Sequence, residues 1–121
     1  MDEILITLPL PDRRLSPNAR VHWRTLWAQK KAYKRAAYVA TYYAGGQKAK
    51  WMRATAKVTF FWKDRRDRDM DNAMASLKSA WDGIKEAGLI EDDCARVLTH
   101  EPAEFRVDGD DPRVEIRVRK L

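Results

Sequence analysis

The residues best suited to chemistry are Arg65-Arg66-Asp67-Arg68-Asp69-Met70-Asp71-Asn72 and, further along, the acidic pair Asp92-Asp93. In an extended segment, side chains at i and i+2 point the same way with Cα atoms roughly 6.5 Å apart, so Asp69 and Asp71 can converge on one ion. At about 5 Å and an effective dielectric near 20, two such carboxylates repel by roughly 3 kcal/mol, which a cation, a proton or an arginine must offset. Mg²⁺ suits the place, because it takes oxygen ligands and is commonly held by one or two carboxylates together with substrate phosphates. A capping reading stands beside this one. An Asp-Asn pair ahead of an apolar-periodic run marks a helix N-terminus. That explains Asn72 and can account for Asp71, but it leaves Asp69 without a task and makes Arg65, Arg66 and Arg68 ion-pair partners. Asp67-x-Asp69-x-Asp71 also copies the start of a calcium loop. The sixth position of such a loop should be Gly and is Asn72, and the twelfth should be Glu and is Lys78, which excludes it.

The elements around the octet can be read from periodicity. Ala54 to Trp62 predicts a strand with Val58, Phe60 and Trp62 on one face. A helix from roughly Ala73 to Ala87 buries Met74, Leu77, Trp81 and Ile84 and ends at Gly88. Asp71, Ala75, Lys78 and Asp82 share its other side, so Lys78 is expected to look back towards the carboxylates. Upstream, Ile4 to Leu8 is a strand stopped by Pro9 and Pro11. After a loop at Leu15 to Arg20, the residues Trp23, Leu26, Trp27, Tyr33, Ala37, Ala40 and Ala44 recur at helical spacing until Gly45-Gly46; most of these aromatics are assigned to the core, and only those next to lysines on the polar side are reserved for DNA. Cys94 to about Val107 reads as extended, with Pro102 implying an edge or a bulge. Val114, Ile116 and Val118 make a last strand, expected to pair antiparallel with its predecessor across residues 108–112. The fold class expected is α/β of the α+β kind: one domain, 1–121, with a mixed sheet of about four strands and two main helices.

A chain of 121 residues supports one core. At 45% hydrophobic and 35% charged residues it reads as a soluble domain. The single cysteine, Cys94, forms no internal disulfide and is expected to be a small buried hydrophobe. The start of the chain lacks a signal-peptide pattern and no apolar run reaches membrane-spanning length, so a reducing cytoplasm is expected. The net charge of +6 is unevenly spread, with no acid between Arg13 and Lys63. Thirteen lysines and arginines there alternate with Trp23, Trp27, Tyr33, Tyr38, Tyr42, Tyr43 and Trp51. That pattern points to a polyanion bound through phosphate neutralisation. The residues assigned to DNA are Arg13, Arg14, Arg20, His22, Arg24, Lys30, Lys31 and Lys34, joined by Arg65, Arg66 and Arg68. His22 and His100 lack ligand spacing; His22 is read as a phosphate contact and His100 as structural.

Arg68-Asp69-Met70-Asp71-Asn72, Lys78 with Trp81-Asp82, then Lys85-Glu86-Ala87-Gly88-Leu89 and Asp92-Asp93 together resemble the RusA family of crossover junction endodeoxyribonucleases. The resemblance is strongest from Phe60 to Val97, and Ile4 to Pro9 with Ser16 to Arg24 are similar to the family's first strand and basic loop. It implies a homodimer that resolves four-way (Holliday) DNA junctions in recombination and repair, in a bacterial or phage-infected cell. It further implies Mg²⁺ or Mn²⁺ and no small-molecule cofactor. Asp69, Asp71 and Asp93 would be metal ligands, and Lys78 a catalytic lysine. Lys78 lies nearly two helical turns beyond Asp71 where the family pattern has one, a displacement of about 4.5 Å along a continuous helix. The competing class is a non-catalytic DNA- or junction-binding protein whose acids cap helices and pair with arginines. A degenerate relative that binds junctions and cleaves poorly is a third reading.

Overall fold

The computed structural model describes residues 2–121. Alternating sequence makes the sheet. In β1, Glu3–Leu8, and β5, Arg113–Lys120, every second residue is apolar, and Ile4, Ile6, Leu8, Val114, Ile116 and Val118 are the ones buried. β5 pairs antiparallel with β1 on one side and with β2, Ala54–Trp62, on the other. β3, Leu98–His100, and β4, Glu104–Val107, both run parallel to β2 along its remaining edge. Between those pairings, residues 57–58 of β2 face residues 101–103, one residue more. This is a bulge on an edge strand at Pro102, as the missing amide donor requires.

The result is the mixed-sheet α+β domain expected, with five strands because Pro102 divides one of them. The strand neighbours differ from the sequence reading. β5 does not form a hairpin with β4; residues 108–112 step over the end of β2 and deliver it to the sheet centre. Arg113 fixes that step by donating to Asp108 Oδ2, Asp111 O and Glu115 Oε2, each at 2.8 Å, while its guanidinium lies 3.9 Å from the Phe61 ring centre.

One face of the sheet carries the helices: α1, Trp23–Tyr43; α2, Met70–Ala75; and α3, Lys78–Ala87. α1 and α3 pack on each other through small residues. A Cβ on Gly83 would lie 2.1 Å from Lys34 O, so Gly83 is the point of closest approach. The other face of the sheet carries ion pairs such as Lys57–Glu104 and Arg117–Glu3.

Two burial expectations fail. Only Tyr33, Ala37 and Thr41 of α1 are buried, whereas Trp23 and Trp27 are 67% and 61% exposed. In the first half of that helix Thr25, Leu26 and Gln29 are partly covered, whereas the i, i+4 indoles of Trp23 and Trp27 lie on the other side and face solvent. Cys94 is exposed in the turn that precedes β3, not buried in a strand. Among the described residues, no helix is long and apolar enough to cross a membrane.

Candidate active site and nucleic-acid interface

β2 ends at Trp62 and hands the chain to the charged octet. Trp62 is stacked on Phe60 with ring centres 5.3 Å apart, and the Arg68 guanidinium covers it at 4.4 Å. Arg68 also donates to Asp64 O, Arg66 O and Asp64 Oδ1 at 2.8–3.0 Å, so it clamps the loop that it closes. Arg66 pairs with Asp64 as well. The arginine partner in this stretch is therefore Asp64. Asp67, Asp69 and Asp71 form no ion pair among the described residues. The Arg68 guanidinium, beside the Asp64 carboxyl, holds that carboxyl below its ordinary range.

Asp69 is the N-cap of α2, and its Oδ1 accepts from Asn72 N at 3.1 Å. The sequence pattern puts the cap near Asn72; the helix starts earlier, with Asp71 in its first turn and Asn72 inside. α2 then stops after six residues. Ser76 Oγ donates back to Asn72 O at 2.8 Å, a side-chain bond that competes with the helical ladder. Leu77, with ψ near 0°, turns its fully buried side chain into the core. The single helix expected from Ala73 to Ala87 is thus two helices, and Lys78 opens the second.

The break redirects Lys78. Its Nζ lies 3.1 Å from Asp82 Oδ1 and 3.1 Å from Asp93 Oδ2, rather than facing Asp69 and Asp71. Asp93 is brought there by a pinned turn, in which Lys50 N and Trp51 N donate to Gly88 O and Leu89 O, and Glu91 N donates to Trp51 O. Gly88 makes the turn with φ of 92°, a backbone conformation that suits glycine. Two turns along α3, Lys85 Nζ meets Asp92 Oδ1 at 3.0 Å. The carboxylates of Asp82 and then Asp93 raise the Lys78 pKa, so its ammonium is charged at neutral pH. Lys85, together with the Asp93 N–H, lowers the Asp92 carboxyl to about 2. An exposed i,i+4 pair such as Lys78–Asp82 contributes only about 0.3–0.5 kcal/mol, so the cluster is not what holds α3 in place.

Among the described residues, no three His, Cys, Asp or Glu side chains come together to hold a metal ion. Asp69 is turned to its cap, Asp93 to Lys78, and Asp71 is exposed. As arranged, the three carboxylates do not form a three-ligand Mg²⁺ centre. The ammonium of Lys78 takes the place beside Asp93 that a cation would need.

Asp69 shares with Asp12, Arg13, Ser16, Trp62, Arg68 and Asn72 the lining of a cleft of about 290 Å³ between the basic loop and α2. Trp62 Nε1, buried at its edge, has no hydrogen-bond partner among the described residues. Trp62 and Asp64 are site residues that sequence reasoning missed; Asp64 stands four residues before Arg68, a spacing that could have revealed the pair. Asp82, four residues after Lys78, was visible as its neighbour, whereas the tie between Lys78 and Asp93 had no local signal.

The remaining DNA candidates divide by how free they are. Arg13, Arg14 and Arg20 line a neighbouring cleft of about 490 Å³, and Arg14 is tied to Asp12 through a bidentate contact. Lys34 pairs with Glu86 at 2.7 Å. His22 caps α1, with Nδ1 accepting from Arg24 N at 3.2 Å. Arg24 and Lys31 lie over Trp23 and Trp27, while Lys30 and Arg65 are exposed. His100 sits edge-on to Trp81 at 5.2 Å, a structural contact.

No family model matches the chain. Over 110 residues it is 36% identical to an uncharacterized protein of Xylella fastidiosa (strain Temecula1 / ATCC 700964), an alignment that covers 84% of this chain and 67% of that protein. The chain belongs to the same family as that Xylella protein.

Proposed function

We propose that the chain is a structure-selective endodeoxyribonuclease of the RusA kind, which resolves four-way DNA junctions by phosphodiester hydrolysis. It would act as a homodimer with Mg²⁺ or Mn²⁺, in recombination and repair in the cytoplasm of a bacterial or phage-infected cell. The observation that carries this reading is the contact between Lys78 Nζ and Asp93 Oδ2 at 3.1 Å. Two residues far apart in sequence, each assigned to the chemistry by the resemblance, meet where the turn after α3 folds back along that helix.

A charged ammonium held by carboxylates cannot accept a proton. Lys78 therefore serves as a positive charge that moves from Asp93 to a phosphate oxygen as charge grows on the scissile group. Arg13, exposed in the cleft beside Asp69, can hold an adjoining phosphate. The divalent ion enters this proposal as an added component whose ligands are not preassembled. Two equivalent sites on an isologous dimer suit the approximate two-fold symmetry of a junction, which allows paired nicks on opposed strands.

Lys78→Met and Asp71→Asn separate binding from chemistry. Both should retain junction affinity, Asp71→Asn binding equally or slightly tighter through the removal of one negative charge, and both should lose nicking. Wild-type nicking by Lys78→Met would remove the Lys78–Asp93 contact from the site. Loss of binding by Asp71→Asn would assign that residue to the helix terminus. A non-catalytic junction-binding protein is the second reading, favoured by the capping role of Asp69 and the Asp64 pairs of Arg66 and Arg68. It predicts binding with no nicking under either metal.

A further inference from the structure

From Trp23 to Ala32, the first half of α1 buries no residue. Its outer surface presents two indoles, 67% and 61% exposed, four residues apart. Each is covered by a cation. Arg24 Cζ lies 5.2 Å from the Trp23 ring centre and Lys31 Nζ 5.0 Å from that of Trp27. His22 extends the row by stacking on Trp23 at 5.8 Å with planes 26° apart. Further along the same helix, Lys31, Lys34, Arg35 and Tyr38, with Glu86 paired to Lys34, line an open groove of about 480 Å³. α1 contains no acidic residue.

Self-association is a poor use for this surface. In an isologous contact, Arg24, Lys30, Lys31 and Arg35 would face the same four cations on the other copy. The charge calls for a polyanion, and the rings call for flat apolar faces. A base-paired duplex hides its base faces within the stack; an unpaired strand offers phosphates and bases together. Four helical residues advance about 6 Å, close to twice the 3.4 Å step of stacked bases, so neighbouring nucleotides can reach both rings.

We propose that the Trp23–Trp27 face of α1 is a stacking platform for unpaired nucleotides, with His22, Arg24, Lys30 and Lys31 holding the strand's phosphates. It is separate from the Lys78–Asp93 cluster and does not rest on cleavage. A protein that nicks nothing would still carry it.

The test compares wild-type binding to an oligothymidylate and to an abasic strand of equal length, which has the same phosphates and no bases. The base-bearing strand should bind more tightly. Trp27→Ala should weaken its binding by roughly five-fold or more, and the double alanine variant by at least about 25-fold, as expected for base stacking on an aromatic ring. The corresponding phenylalanine variants should keep most of the affinity, and the abasic strand should be indifferent to all of them. Equal wild-type affinity for the two strands overturns the proposal and needs no variant to do so. Unchanged oligothymidylate binding by the double alanine variant overturns it as well. Loss of self-association in that variant, seen by sedimentation with strand binding unaltered, would instead make the face a subunit contact.

Discussion

Asp69 has a structural duty and a proposed chemical one, and two substitutions can divide them. Its Oδ1 accepts from Asn72 N at 3.1 Å and so satisfies one of the free amides that begin α2. Asparagine caps about as well as aspartate, whereas alanine offers no acceptor and costs about 0.5–2 kcal/mol. For a domain of this size, 1 kcal/mol corresponds to a melting shift of about 3–6 °C. Asp69→Ala should therefore melt at least about 2 °C below the wild type. Asp69→Asn should stay within a degree or two of it, because α2 is only six residues long and offers the removed charge a small dipole. If Asp69 also serves catalysis, both variants lose junction nicking while only alanine loses stability. Calorimetry beside a nicking assay reads both properties. The reasoning is refuted if asparagine destabilises as much as alanine, or if Asp69→Asn nicks at the wild-type rate.

At the crossing of α1 and α3, Gly83→Ala gains helix propensity of about 1 kcal/mol but places a methyl 2.1 Å from the backbone Lys34 O, where overpacking costs about 3 kcal/mol at the upper end of its usual range, so a net destabilisation of about 2 kcal/mol should appear in urea denaturation. Asp12 is held at about 2 by the Arg14 guanidinium and the Arg14 N–H. Because its folded pKa is depressed, its contribution is present above the ordinary carboxylate value of 3.8 and lost as pH falls towards about 2; Arg14→Ala should raise the Asp12 value seen by NMR titration. Replacing Lys30 and Lys31 by Ala should weaken DNA binding and flatten its salt dependence, by up to about one counterion for each phosphate that is no longer neutralised. An unchanged slope would take that part of α1 off the DNA surface.

Much of the frame was legible where one residue type has one physical use. β2 runs from Ala54 to Trp62 as its alternation required, Gly88 closes α3 with positive φ, and Pro102 sits at a bulged edge. Alternation in Val114, Ile116 and Val118 identified the buried face of β5, but pairing partners are not encoded in one strand's pattern. The hairpin with β4 was therefore the wrong neighbour. Leu77 kept the apolar period through the break between α2 and α3, so the two helices read as one. Trp23 and Trp27 had core spacing, yet a helix face is buried only where another element covers it. At Asp69, a shift of the helix start exchanged the roles of cap and interior residue between Asp69 and Asn72.

The measurement that bears most directly on junction cleavage uses a four-way junction labelled on each strand, beside a linear duplex of the same sequence, incubated with wild-type protein and Mg²⁺ or Mn²⁺. Paired nicks on opposed strands of the junction, absent from the duplex and lost in Lys78→Met, are the predicted result. A junction that is bound but left intact with either metal would contradict the nuclease reading and leave a DNA-binding protein.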